Sequence, residues 1–142
     1  MKGVELVTYG PNKLFDVTRW VEEECRGVKE GAVLVFAKGS TGALVLLEEG
    51  EVEGFERDLW GLVEVYGWEH PGNAYAHLRS TLMGTGLVLP VVDGRPVLGG
   101  RRVYFVENQP ALNRHRKLYV HAIPIGIRRG SGIRRPDPRL SP

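Results

Sequence analysis

Residues 73–99 constrain the fold of this chain more than any other segment. They begin with a helix-like run that ends before Gly84. An apolar run follows and enters Asp93-Gly94, the dipeptide typical of a two-residue β-hairpin turn. Pro90 interrupts this strand and predicts that it lies at a sheet edge or is bulged there. A helix joined directly to an antiparallel hairpin favours an α+β domain.

The rest of the chain fits that class. Three helices are predicted: one that begins at Asp16 or Thr18, one over 52–66 and one over 73–83. Short apolar runs rich in Val and Leu predict strands at 4–9, 32–37, 43–47, 87–92, 97–98, 103–107 and 117–125. The expected fold is therefore a single α+β domain with about three helices and a mixed or antiparallel sheet.

Composition excludes several classes of protein. The 142 residues are 42% hydrophobic and 25% charged, which suits one soluble domain with a real core. No apolar run approaches the roughly 20 residues that cross a bilayer, and the first ten residues lack the apolar stretch of a secretory signal. A single cysteine, Cys25, allows neither an intrachain disulfide nor a cysteine-rich zinc site. We expect a cytoplasmic protein that does not associate with a membrane.

The charge is unevenly distributed. The domain is expected to cover residues 1–125, followed by a basic, extended tail over 126–142. That tail carries five arginines against Asp137, so it holds about +4 and leaves about −2 on the domain. An acidic body makes nucleic-acid binding an unfavoured function, although docking of a nucleic acid or a protein through the tail stays open.

Two histidines are candidates for chemistry. In a helix, His77 shares a face with Ser80 and Thr81 and could act as an acid, a base or a metal ligand. His70 lies in the preceding loop and could meet His77 on one metal ion. The alternative for His77 is a core histidine with a satisfied hydrogen bond. The alternative for His70 is an ordinary surface residue of the loop.

Other polar groups lie at strand ends. Ser40 and Thr41, between two glycines, could offer hydroxyls and backbone N–H groups to an anion, or simply form a turn. Glu48 could serve as a base or hold a divalent ion, or be merely solvated. The arginine pair Arg101-Arg102 and the basic run at 114–117 fit phosphate recognition and equally fit the protection of edge strands.

Four segments resemble the YjbQ-like family, which is also described as the secondary thiamine-phosphate synthase family. They are STGALVLLEE (40–49), AHLRSTLMGTGLVLPVVDGRPVLGG (76–100), VYFVE (103–107) and RHRKLYV (114–120). The resemblance implies an α+β domain that assembles as a homotrimer, with a polar pocket near the subunit boundary. It also implies weak thiamine-phosphate synthase activity and, in some members, a metal held by histidines.

The chain departs from the family's pattern at several polar positions. Gly39 stands where the family has a histidine before two hydroxyl residues, while His70 and His77 match the other two histidines. The family's asparagine–glutamate, lysine–serine and tryptophan–glutamine pairs are Leu47-Glu48, Arg79-Ser80 and Arg101-Arg102 here. With one of three candidate histidines lost, we expect any divalent metal to bind weakly.

Three functions follow from the resemblance and the departures. The first is weak thiamine-phosphate synthase-like transfer, with His77 and Glu48 catalytic and phosphate held by Ser40, Thr41, Arg79, Ser80, Arg101 and Arg102. The second is a catalytically degenerate trimer that binds an anion or a phosphorylated small molecule. The third is docking of nucleic acid or protein through the basic tail.

Overall fold

The computed structural model describes residues 1–126 and Arg139. Within that part, no helix is long and apolar enough to cross a bilayer. The helices are α1 (Thr18–Cys25), α2 (Val52–Leu62) and α3 (Ala74–Met83), with a 3₁₀ turn at Glu49–Glu51 before α2. The strands are β1 (Lys2–Thr8), β2 (Lys13–Asp16), β3 (Glu30–Ala37), β4 (Gly42–Leu47), β5 (Gly86–Val92), β6 (Arg95–Pro96), β7 (Arg102–Glu107) and β8 (Arg114–Pro124).

The strands form two antiparallel sheets. Sheet A has the order β1-β8-β3-β5-β6, and sheet B has the order β2-β7-β4. Alternate residues of each strand point to opposite faces, so Val33 and Val35 of β3, Leu118 of β8 and Phe105 of β7 all enter one buried layer between the sheets. This layer is the main core and sets which strand residues face inward.

The helices cover only part of this sandwich. Leu59 of α2 and Met83 of α3 pack on Ala43 and Val106, on the side of sheet B that faces away from the core. Helix α1 closes one end through Val21 and Cys25, together with Val17 just before the helix. None of the described helices covers the outer face of sheet A. That face bears Leu34, Phe36, Val88, Tyr119 and Ile123, of which Phe36, Val88 and Ile123 are exposed.

The predicted fold class is confirmed. The bounds of some elements differ from the prediction where contacts between residues distant in sequence determine them. Helix α2 ends at Leu62, not at residue 66, because Val63 is extended with φ −139° and ψ 132°. The Val63 side chain is buried beside Tyr75 and Ala76. Its carbonyl accepts a hydrogen bond from Arg79 Nη2 at 3.0 Å, so packing on α3 replaces the last turn of α2.

The hairpin is confirmed at its turn and shifted in its second strand. Asp93 and Gly94 have φ of 51° and 74°, and β6 follows at once as Arg95–Pro96 instead of at 97–98. The Pro90 carbonyl accepts from Val97 N at 2.8 Å. In an antiparallel strand the N and the carbonyl of one residue point to the same side, so the missing N–H of Pro90 removes no bond to β3.

Two further differences concern short or terminal segments. Strand β2 was not predicted, since four residues are too few to display a period, and its pairing with β7 alone defines it. Strand β8 begins at Arg114, three residues before the predicted start. The predicted tail over 126–142 lies almost entirely outside the described residues.

Candidate anion-binding site

A buried ion pair joins the ends of β7 and β8. Arg116 and Glu107 are 4% and 0% exposed. Arg116 Nε donates to Glu107 Oε1 at 2.8 Å, and Nη2 donates to Oε2 at 2.5 Å. The Thr8 hydroxyl also donates to Glu107 Oε1 at 2.6 Å. A carboxylate matched in this two-pronged geometry fixes both the position and the plane of the guanidinium.

The third nitrogen of that guanidinium has a different environment. Nη1 of Arg116 donates to none of the described residues, whereas Nη2 also donates to Thr41 Oγ1 at 2.6 Å. Nη1 lies beneath Gly39, where a Cβ atom would come within 3.1 Å of it. Gly39 has φ +118°, which other residues rarely adopt. The lack of a side chain at position 39 therefore leaves one edge of the guanidinium uncovered.

A cavity of about 280 Å³ lies at this edge, and we call it the Gly39 cleft. Its lining is strongly basic, with Glu5 as the one acidic residue. Glu5 faces Lys117 across the β1–β8 pair. The volume is near the lower end for small-molecule sites. The lining residues are Glu5, Lys38, Gly39, Arg114, His115, Arg116 and Lys117.

The two hydroxyl residues of the predicted anion loop, Ser40 and Thr41, differ in their exposure to solvent. Thr41 is buried, accepts from Arg116 Nη2 and donates to Gln109 Oε1 at 2.9 Å. It therefore holds Arg116 in place from within the protein. Ser40 is exposed in the loop beside Gly39.

Arg79 and Ser80 point from α3 into the protein. The Arg79 side chain is fully buried and donates to Asn12 Oδ1 and to the Val63 carbonyl. Ser80 Oγ donates to the Gly42 carbonyl, which ties α3 to the first residue of β4. Neither side chain lines the Gly39 cleft.

Arg101 and Arg102 lie at the opposite end of β7 from Glu107, roughly 17 Å away along the strand. Arg102 forms an ion pair with Asp16. Burial acts to raise the pKa of Asp16, but hydrogen bonds from Arg102 and Thr18 outweigh it and lower that pKa below 3.8. Arg101 is exposed, and its Nε donates to the Leu98 carbonyl at 3.2 Å. The structure does not bring this pair to the cleft.

The two candidate metal ligands do come together. The rings of His70 and His77 have centroids 4.8 Å apart, tilted by 49°. His70 Nδ1 lies 2.9 Å from the Pro71 carbonyl. A carbonyl can only accept, so Nδ1 carries the hydrogen and Nε2 is left for a ligand. No hydrogen bond joins either ring to Glu48, whose own N–H is bonded to Glu51.

A dense metal site is not present in residues 1–126. No group of three or more His, Cys, Asp or Glu side chains has a geometry that could hold an ion. His70 and His77 alone would supply two imidazoles, and water would complete the coordination. Such a site is weaker than a three-residue site.

The sequence contained a signal for the ion pair that the predictions missed. Val103 and Phe105 face the core, so Glu107 falls on the same face of β7. Leu118 and Val120 likewise put Arg116 on the core face of β8. Two opposite charges at core-facing positions of two strands indicate a buried pair, because an isolated charge is rarely buried.

The sequence matches other proteins over most of its length. The family profile described as "UPF0047 protein YjbQ-like" matches residues 2–124. A UPF0047 protein from Archaeoglobus fulgidus is 36% identical over 104 residues, covering 67% of this chain and 80% of that one. The UPF0047 protein YugU from Bacillus subtilis is 29% identical over 116 residues, covering 75% and 88%.

Solved structures agree with these matches. An uncharacterised conserved YjbQ/UPF0047 protein from Clostridium acetobutylicum superposes with a TM-score of 0.78 at 25% identity, covering 87% of this chain and all of that one. A protein of unknown function from Sulfolobus solfataricus gives 0.74 at 29% identity, covering 85% and 94%. Neither description assigns an activity.

Proposed function

The chain belongs to the YjbQ-like UPF0047 family, and we propose that this member binds a small phosphorylated molecule in the Gly39 cleft. The environment of the Arg116 guanidinium supports this proposal. Arg116 is fixed by Glu107 and Thr41, yet its Nη1 donates to no residue in the described part of the chain and faces a basic cavity. A guanidinium held in advance loses little entropy when it binds an oxyanion.

The rest of the cleft suits a phosphate group joined to a small polar body. Lys38, Arg114 and Lys117 add positive charge around Arg116, whose own charge is largely matched by Glu107. Charge-assisted hydrogen bonds of this kind are the stronger ones in proteins. Glu5 would repel a second anionic group but can accept a hydrogen bond from a hydroxyl or ammonium group of the ligand.

We further propose a homotrimer that uses the outer face of sheet A. Phe36 lies opposite Tyr119, and Leu34 lies opposite Val88, so the apolar side chains are contiguous across three strands. Uncovered apolar patches of this kind usually mark an interface. The number three rests on the family resemblance. Lys117 points to the same face as Tyr119, so a neighbouring subunit would border the cleft.

Thiamine-phosphate synthase-like transfer is the less favoured function. Transfer needs an acid or base within hydrogen-bond reach of the reacting group. Neither His77 nor Glu48 lines the cleft. We therefore expect weak or no synthase activity. His70 and His77 would instead bind a divalent metal weakly, apart from the phosphate.

Calorimetric titration with inorganic phosphate and with a small sugar phosphate tests the proposal. Arg114→Ala and Lys117→Ala remove exposed cleft cations and should weaken binding at least several-fold. Arg101→Ala removes an exposed arginine outside the cleft and serves as the matched control. Equal affinity in all three variants, or no binding by the unmodified protein, would contradict the proposal.

A further inference from the structure

Arg79 is a buried cation that has no counterion among the described residues. Its side chain has no exposed surface. Its acceptors are the Asn12 amide and the backbone carbonyls of Val63 and Trp60, all of them neutral. In the part of the chain that the structure describes, the ion pairs do not include Arg79, whereas Arg116, which is also buried, has Glu107. Burial lowers the pKa of the Arg79 guanidinium, but an arginine stays charged at neutral pH.

Asn12 connects this charge to a cavity. A guanidinium only donates hydrogen bonds, so the amide oxygen of Asn12 must face Arg79 and the NH₂ group must point away. Residues 1–126 supply no hydrogen-bond partner for that Nδ2, although Asn12 is only 1% exposed. Asn12 lines a cavity of about 340 Å³. A buried donor without an acceptor costs free energy that an incoming acceptor would recover.

The cavity lies between the loop before β2 and one face of α2. Lys13 and Arg57 contribute positive charge, and the Trp60 ring contributes an apolar wall with Arg79 5.8 Å from its centre. Glu56 holds the two walls together, because its Oε2 accepts from Leu14 N at 2.9 Å. The lining residues are Pro11, Asn12, Lys13, Glu53, Glu56, Arg57 and Trp60.

We propose that this cavity is a second ligand site, which takes a small carboxylate. The carboxylate accepts from Asn12 Nδ2 and lies near Lys13, where it supplies the counter-charge that Arg79 lacks. Glu53 and Glu56 on the opposite wall disfavour a phosphate dianion, so a ligand with one negative charge fits better. The apolar part of the ligand packs on Trp60. This site is independent of the Gly39 cleft.

NMR of the full-length, ¹⁵N-labelled protein tests the proposal, with sodium propionate as the probe and sodium chloride at equal ionic strength as the control. The Asn12 side-chain amide and the Trp60 indole signals should shift and saturate with propionate. Lys13→Gln should weaken that response several-fold. Lys117→Ala, which belongs to the other cleft, should leave it unchanged, so the two sites are judged separately.

Asn12→Asp gives a second, sharper readout. It places a carboxylate beside Arg79 inside the protein, so it should abolish the propionate response and raise the melting temperature by about 3 °C or more. The proposal would be overturned by an unresponsive Asn12 amide at about 100 mM propionate, which saturates a millimolar site. A response that chloride reproduces, or a lower melting temperature in Asn12→Asp, would overturn it equally.

Discussion

Gly39 lies directly over Arg116, so closely that a methyl group at position 39 would crowd the guanidinium. A Cβ at position 39 would lie 3.1 Å from Arg116 Nη1, on the only edge of the guanidinium that Glu107 and Thr41 leave free. The lack of a side chain at position 39 thus leaves this edge of a fixed cation uncovered.

Gly39→Ala should weaken phosphate binding several-fold, because the new methyl group crowds Nη1. It should also lower the free energy of unfolding by about 1–3 kcal/mol, since φ is +118°. Gly27→Ala is the matched control: position 27 is exposed and has no atom near an added Cβ. Denaturant titration and calorimetry measure the two effects. Unchanged phosphate affinity in Gly39→Ala would contradict the role given to this position.

Glu107→Gln should destabilise the protein by about 3–5 kcal/mol, because it leaves Arg116 buried without a counter-charge. Denaturant unfolding monitored by tryptophan fluorescence measures this loss. Asp16→Asn breaks an ion pair that is partly exposed and should cost far less. Similar losses in the two variants would contradict the role of Glu107 as the buried counter-charge of Arg116.

The Asp16–Arg102 pair should make stability depend on acid pH. The pKa of Asp16 in the folded protein lies below its ordinary 3.8, so its stabilisation is fully present above pH 3.8 and is lost as pH falls below that value. The difference in melting temperature between the unmodified protein and Asp16→Asn should therefore shrink on acidification below pH 3.8. A difference that stays constant with pH would contradict the assignment.

Association through sheet A can be tested with two equally exposed apolar residues. Val88 on the outer face and Leu82 on α3 are each 67% exposed. Val88→Glu should convert trimers to monomers in light scattering, and Leu82→Glu should not. Monomers of the unmodified protein at micromolar concentration would exclude the trimer, and dissociation by Leu82→Glu alone would place the interface on the helices.

Local chemistry explains which features the sequence predicted. The turn at Asp93-Gly94 and helix α3 depend on neighbouring residues, and both were expected close to where they lie. The cleft depends on β4, β7 and β8 meeting at one end, and residues 41, 107 and 116 are brought together only by strand register. Arg79 was expected to hold phosphate because arginine neutralises the charge of a phosphoryl group, whereas packing in the folded protein buries it completely.

The position of a bound oxyanion decides whether the Gly39 cleft is an anion site. We expect a crystal structure of the protein soaked in phosphate to show one anion in the Gly39 cleft, about 3 Å from Arg116 Nη1 and within reach of Lys117. The same soak of Lys117→Ala should show a weaker anion or none. An anion bound at Arg101 and Arg102 instead, or an empty cleft at saturating phosphate, would show that the Gly39 cleft is not the phosphate site.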